Sequence, residues 1–399
     1  MSCTHSVCSI IPPHILRRLA ASPNPALRES AFNTLIATAR MRAERQLIAR
    51  VGFMANATGV LRRSIYDCRH AAQPESAVLA RAEGDAAVSD KSVNRAYDGF
   101  GVTYGFYSNV LHRNSIDDHG MRLDGYVHFR NGYNNAFWDG RRMVFGDGDG
   151  RLFKDLTESL DVIAHELTHG VVEATAGLEY HLQPGALNES MADVFGSVVK
   201  QWHLKQDVTK ADWLIGDSIF TPQVKGDALR SLRAPGTAYN DPDIGKDPQP
   251  AHMRDFVNLA DTEEDDWGGV HINSGIPNHA FYLAANAIGG NAWGAASAIW
   301  YEALKRAGVQ TNFVQFAVLT SQAASGLYGA QSRERAAVVD AWRAVGVLDE
   351  VPLATGAADM GDADAKVEYL ARRIDVLARQ VEVLQGRIEF ENHKRKKRA

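Results

Sequence analysis

A chain of 399 residues, 45% of them hydrophobic and 23% charged, is long enough to bury a sizeable core in two or three domains. Its net charge of −5 gives no reason to expect nucleic acid as a partner, and no stretch approaches the roughly 20 apolar residues a membrane span needs. Three cysteines, Cys3, Cys8 and Cys68, are too few and odd in number for a disulfide framework.

Residues 1–20 hold only Ile10-Ile11 before Pro12-Pro13, then Arg17-Arg18. A secretory leader shows a basic start and an unbroken apolar run of about 7–15 residues, so the expected end point is the cytoplasm, or export by a route without such a leader. Cys3 and Cys8 read as idle thiols; a thiolate cap on a metal ion in a latent precursor is the alternative. Residues 33–51 read as a helix. Residues 51–160 are aromatic and Gly-rich and read as loops and short strands, such as Tyr126-Val127-His128-Phe129, with a turn-rich run at 145–150. From Leu160 the pattern turns helical: Val162, Ile163, Leu167 and Val171 recur on one face. Further helices are expected around 188–200, 274–287, 292–307 and 331–345. A Gly/Pro-rich connection over 226–250 interrupts them, and loops this long in compact domains are commonly functional. Near the C-terminus Val367, Leu370, Ile374, Leu377, Val381, Leu384 and Ile388 alternate at spacings of three and four. Such a seam favours a parallel two-stranded coiled coil, hence a homo-oligomer through residues 367–388; the competing reading folds this helix back onto the body. Gly386 weakens its last heptad. The final run Lys394-Arg395-Lys396-Lys397-Arg398 reads as a solvated tail, with a polyanion contact as the alternative.

His165-Glu166-Leu167-Thr168-His169 carries the chemistry. On a helix these imidazoles share a face and can reach one ion at about 2.0–2.1 Å, while Glu166 stands ready to take a proton from water. A catalytic zinc wants a third protein ligand, and Glu189, in the run Asn188-Glu189-Ser190-Met191-Ala192-Asp193, can supply it. Asp193, four residues on, shares its face and can accept the remaining N–H of a ligand histidine, with Asn188 as a second support. Carboxylates inside the apolar run of Met191, Ala192, Val194 and Phe195 would be costly to bury unpaired.

These residues, with the stretch 132–138, Tyr180 and the stretch 268–275, resemble the thermolysin family of metallopeptidases, in the same order over residues 65–349. The short segment with Pro12-Pro13 resembles its protealysin branch. The resemblance implies an α+β fold: an N-terminal β-rich mixed domain and a C-terminal helical domain, with zinc in the cleft between. It implies an inhibitory propeptide at 1–50, a catalytic domain at 51–185 ending in the zinc helix, and a helical domain at 186–349; residues 350–399, with linker, coiled-coil helix and basic tail, lie beyond it. His165, His169 and Glu189 would hold zinc, and Glu166 would act as general base and pass its proton to the leaving amine. Tyr180 and His271 would donate to the developing oxyanion, with Asp266 orienting His271. Asn135, the main chain of Ala136 and Arg230 would hold substrate backbone. Phe153, Leu156, Val162, Ile215 and Leu229 would line the pocket for the residue after the scissile bond.

The implied protein is a neutral zinc endopeptidase cutting peptides and proteins before bulky hydrophobic residues, made as a precursor that removes its own inhibitory segment near residues 45–65. A related exopeptidase and a non-catalytic interaction protein are the alternatives; no motif for a free substrate terminus favours the first, and intact Glu166, Tyr180 and His271 argue against the second. One departure concerns calcium. Where the family often carries a double calcium cluster, this chain has Asp161, Lys200, Asp212, Leu214 and Asp217. Calcium takes six to eight oxygens, so the expectation is a Lys200 ammonium standing among Asp161, Asp212 and Asp217, with room for a single calcium at most.

Overall fold

The computed structural model describes residues 8–48 and 60–348. Cys3, the coiled-coil seam and the basic tail lie outside the described residues, as does most of the expected processing region. Within the described body the expected α+β architecture is present.

The chain opens with β1 (Cys8–Ser9), α1 (Pro13–Ala20) and α2 (Pro25–Ile48). The second helix begins eight residues before the expected start at 33, because nothing between Pro25 and Asn33 breaks a helix and Pro25 itself suits a first helical position. Then follow β2 (Arg63–Asp67), β3 (Val78–Ala82), α3 (Lys91–Leu111), β4 (Leu123–Val127), β5 (Ala136–Trp138) and β6 (Met143–Phe145). Their sheet has the order β1-β5-β6-β4-β2-β3. The β2–β4 and β4–β6 pairs are parallel and the rest antiparallel, so the N-terminal segment itself supplies one edge strand, beside β5.

Two expectations fail in this part. The 21-residue α3 lies where loops and strands were expected. Gly99, Gly101 and Gly105 hide it from propensity, yet Asp90 caps its first turn through Ser92 N and Val93 N, and Val93, Ala96, Phe100, Thr103 and Tyr107 form a buried stripe. A Cβ on Gly99 would stand 2.7 Å from Ile163 Cδ1, so the glycine is what lets α3 lie close to the metal helix. The expected strand at 126–129 stops at Val127, because His128 takes a left-handed φ of 55°. There the His128 ring spans two carboxylates, with Nδ1 2.9 Å from Asp147 and Nε2 2.9 Å from Asp90.

The second half is mostly helical. It contains α4 (Leu160–Thr175), α5 (Leu182–Leu204), β7 (Leu214–Ile215), β8 (Arg230–Ser231), β9 (Asn240–Asp241) and β10 (Gly245–Lys246). Then come α6 (Asp266–Asn273), α7 (Gly275–Ile288), α8 (Ala295–Arg306), α9 (Phe313–Tyr328) and α10 (Arg333–Ala344). The expected connection over 226–250 is indeed mainly loop. The boundary expected at 185/186 falls inside α5, so the two halves are joined by a continuous helix rather than by a linker. No helix among the described residues is long and apolar enough to cross a membrane.

The hydrogen bonds from Asp147 first, then Asp90, outweigh the cost of half-burying His128 and push its pKa up to about 9. His70 is the other titratable neighbour, 3.5 Å from Asp147. An imidazole whose pKa is higher in the folded chain stabilises fully below about 6.5 and loses that contribution as pH rises through about 9. We expect His128→Asn to cost about 1–3 kcal/mol near pH 6. Melting curves of parent and variant should converge toward pH 10; a gap that stays constant over that range would exclude the ion bridge.

Candidate metal centre

His165 and His169 sit one turn apart on α4, and their Nε2 atoms stand 2.9 Å apart. Glu189, projecting from α5, brings Oε2 to 3.6 Å from His165 Nε2 and Oε1 to 3.4 Å from His169 Nε2. The three donor atoms lie within 4.8 Å of one another, and all three residues are buried. Their chemistry suits a divalent ion. Burial first of all drives the His169 imidazole down to about 3, which leaves it neutral, the form that coordinates. Burial alone would raise Glu189, but His271, then His169 and His165, hold it below the usual carboxylate range. Its buried Oε2 has no hydrogen-bond partner. Two imidazoles on one helix and an ionised carboxylate from the next make a catalytic zinc donor set.

The ligands are braced from behind. His169 Nδ1 meets Asn188 Oδ1 at 2.8 Å, and His165 Nδ1 lies 2.9 Å from Asp193 Oδ1. Such partners turn the Nε2 lone pairs inward. Asp193 also accepts Arg230 Nε and Nη2, both at 2.8 Å, and Asn278 Nδ2 at 2.8 Å. Burial would lift this carboxyl, but Arg230 and His165 hold it well below its usual value.

Glu166 is fully buried, and burial, then the charge of Glu189, push its carboxyl well above the ordinary range. Neither oxygen has a well-formed hydrogen bond, although the Ile10 and Trp138 N–H groups lie close enough to favour its charge. Tyr180 donates to Glu189 Oε1 and lies 3.3 Å from His271 Nε2. Asp266 takes His271 N at 2.9 Å and Nδ1 at 2.7 Å. Burial would lower His271, but Asp266 and then Glu189 raise it to about 9. Residues 266–269 all have positive φ, and this left-handed turn is what doubles the Asp266 carboxylate back onto His271. Trp267 in such a conformation is uncommon and strained.

Asn135 directly precedes β5, and its Oδ1 accepts Ile11 N at 2.9 Å while Ala136 O accepts Ile10 N at 3.2 Å. Phe153, Leu156, Val162, Ile215 and Leu229 are all buried in the main hydrophobic core, which runs from Ile10 to Val347. The Lys200 ammonium stands 3.0 Å from Asp161, 2.9 Å from Asp212 and 3.1 Å from Asp217. Sequence reasoning missed several contributors: Gln249, which donates to the His271 carbonyl at 2.8 Å; Asn278; and the Arg45–Glu173–Trp138 cluster beside β5. Each comes from far along the chain, and no local spacing marks it. Nor did the sequence reveal how residues 8–11 would thread the cleft.

Two descriptions of thermolysin metallopeptidases match: the catalytic domain over residues 54–173 and the alpha-helical domain over residues 176–347. An extracellular metalloprotease of Pectobacterium carotovorum is 46% identical over 343 residues, spanning 86% of this chain and 96% of its own. An extracellular minor metalloprotease of Serratia marcescens is 42% identical over 71% of this chain and 78% of its own. The solved precursor of protealysin, a metalloproteinase from Serratia proteamaculans, superposes with a TM-score of 0.77 at 45% identity, covering 86% of this chain and all of that one. Both of these relatives are named extracellular, which overturns the cytoplasmic end point expected from the composition of residues 1–20.

Proposed function

The chain belongs to the thermolysin metallopeptidase family and is a metalloendopeptidase, and from that premise we propose that His165, His169 and Glu189 hold its zinc ion. The observation that carries this reading is the convergence of the two Nε2 atoms and the Glu189 carboxylate within 4.8 Å. Zinc bound there supplies Lewis acidity toward a peptide carbonyl and toward water. The remaining work falls to side chains. Glu166, with its raised pKa, takes a proton from the attacking water and delivers it to the leaving nitrogen. His271 and Tyr180 donate to the carbonyl oxygen as negative charge develops, and Asp266 keeps the His271 ring turned toward it. Arg230, held rigid by Asp193, takes the carbonyl of the residue after the break, and Asn135 with Ala136 fixes the strand beside β5. The pocket of Phe153, Leu156, Val162, Ile215 and Leu229 offers only apolar surface, which supports cleavage before bulky hydrophobic residues.

The N-terminal segment acts as the inhibitor of this cleft. Its occupancy supports that role: residues 8–11 hold the groups a substrate would need, and a chain continues from both ends of them, as an endopeptidase cleft allows. Removal of residues 1–50 by the enzyme itself then liberates the site. Lys200 takes the part of a cation among Asp161, Asp212 and Asp217; burial would lower its pKa, but the three carboxylates raise it instead.

Glu166→Ala should lower kcat/KM on a peptide carrying Leu or Phe after the scissile bond by about 10²–10⁴-fold and should leave the purified precursor full length in the presence of zinc. A variant that shortens as fast as the parent would remove Glu166 from the role of base. Lys200→Met should destabilise by about 3–5 kcal/mol, since it strands Asp161 in the interior. Calcium should leave the parent's Tm unchanged; a large calcium-dependent rise that vanishes in Asp161→Ala would show an ion where we place the ammonium.

A further inference from the structure

We propose that the bond between Ser9 and Ile10 is itself a cleavage site of this enzyme, cut in the precursor while the rest of the N-terminal segment stays docked; this rests on the roles just given to His271, Arg230 and Glu166. The segment does more than fill the cleft. Its Ser9 carbonyl lies 2.9 Å from His271 Nε2, and its Ile10 carbonyl accepts Arg230 Nη1 at 3.0 Å. Ile10 N donates to Ala136 O at 3.2 Å and faces the Glu166 carboxylate, the group placed to deliver a proton to a leaving nitrogen. The Ile10 side chain has no exposure and is buried in the main hydrophobic core, to which Phe153, Leu156, Val162, Ile215 and Leu229 also belong.

Polarity fixes the direction of the chain. His271 and Arg230 present donors and require carbonyls, whereas Ala136 O and Asn135 Oδ1 present acceptors and require N–H groups. Run the other way, the segment would set N–H against N–H. Register is fixed as well. Ile10 and Ile11 both spend their N–H groups, on Ala136 O and Asn135 Oδ1. Placing Pro12 where Ile11 lies would ask it for an N–H it does not have, and placing Ser9 where Ile10 lies would bury its hydroxyl in the apolar core. Among the bonds of this segment, Ser9–Ile10 is the one the cleft can present for attack.

In the step itself the hydroxyl of water bonds to the Ser9 carbonyl carbon, the C–N bond to Ile10 breaks, and the water's proton passes through Glu166 to the Ile10 nitrogen. The new carboxyl group gives up its proton to the amine, so the products are a Ser9 carboxylate and an Ile10 ammonium. Anchoring on the two sides is unequal. From Ile10 onward the segment is held by Arg230 and Asn135, by His14 against Tyr239 at 3.0 Å, by Arg17 on the Glu263 carbonyl at 2.6 Å, and by Arg18 on the Pro242 carbonyl at 2.9 Å. Before the bond, the described residues Cys8 and Ser9 pair with Trp138 and Phe137, are buried, and bring the Ser9 carbonyl to His271. Hydrolysis therefore releases residues 1–9 and leaves residues 10–48 across the half of the cleft beyond the break, so that full activation needs a second cut further along.

Intact-mass spectrometry of the full chain incubated with zinc should detect a species beginning at Ile10 before any shorter form, together with a peptide ending at Ser9. Neither should appear in Glu166→Ala or Ile10→Asp. In the metal-free full chain, the Ile10 and Ile11 amides should exchange hydrogen at least about 100-fold more slowly than in Ile10→Asp. Fast exchange in the parent overturns the register, and so the proposal. If the mature enzyme cleaves external peptides before bulky residues while no form beginning at Ile10 arises, the proposal falls and the endopeptidase reading stands. If it cleaves no external peptide with zinc, both fall.

Discussion

Asp193 is a carboxylate without solvent contact that three parts of the cleft share. It meets a ligand histidine on α4, the guanidinium of Arg230 on β8 and the amide of Asn278 on α7. An ionised group at this depth is tolerable only when several donors surround it, and stripping away one partner of a buried ion pair costs several kcal/mol. That requirement locks separate elements to one another. His165 keeps its Nε2 toward the ion, and Arg230, with two of its nitrogens committed, has Nη1 left to point at a backbone carbonyl. On the roles proposed for His165 and Arg230, metal binding and substrate alignment rest on the same carboxylate, and neither side chain can shift without disturbing the other.

The consequence is a cleft wall with a fixed order of donors and acceptors. His271 is turned by Asp266 and carried on a left-handed turn, Arg230 is clamped by Asp193, and β5 with the residue before it contributes Ala136 O and the Asn135 amide. A peptide entering this wall has one direction in which its own alternating groups are satisfied. Unsatisfied buried backbone groups cost roughly 1–3 kcal/mol each, so direction is selected by several such terms acting together. The N-terminal segment meets these demands as a continuation of the sheet. It depends on the same groups to which substrate binding is assigned under the proposed function, so on that reading residues 8–11 and another peptide would compete for the cleft.

Part of this was legible without coordinates. His165, His169 and Glu166 announce themselves because helical periodicity is local, and Glu189 with Asp193 repeats that logic on the next helix. Asp266 and His271 stand five residues apart, close enough for sequence to suggest a pair, yet the turn of positive φ that joins them is invisible in residue types: Trp267 gives no warning of a left-handed backbone. The helix α3 was hidden because its glycines lower propensity, whereas the close approach to Ile163 that requires Gly99 is a tertiary fact. The same holds for Ile11 and Asn135, 124 residues apart, and for Arg230 and Ile10, 220 apart. Pairings of that range follow from how the folded body places its donors, and no window of sequence contains them.

Two acidic sites, one fully buried at Glu189 and one reaching the surface at Asp161, Asp212 and Asp217, show how the choice of counter-charge separates structure from chemistry. At Asp161, Asp212 and Asp217 the positive charge is an ammonium tethered through Lys200 to α5. It cannot leave, and with three carboxylates at hydrogen-bond distance it offers no position to anything else. At Glu189 the surrounding groups are imidazoles, among them His271 with its Nε2 3.6 Å away, and a tyrosine hydroxyl, and the nearest guanidinium, that of Arg230, is drawn off by Asp193. A lysine in that place would neutralise Glu189 as well as an ion does, but it would bring hydrogen-bond donors in place of Lewis acidity. Holding the cation at Glu189 exchangeable and the one at Asp161 covalent keeps the fold's charge balance independent of the ion that the reaction uses.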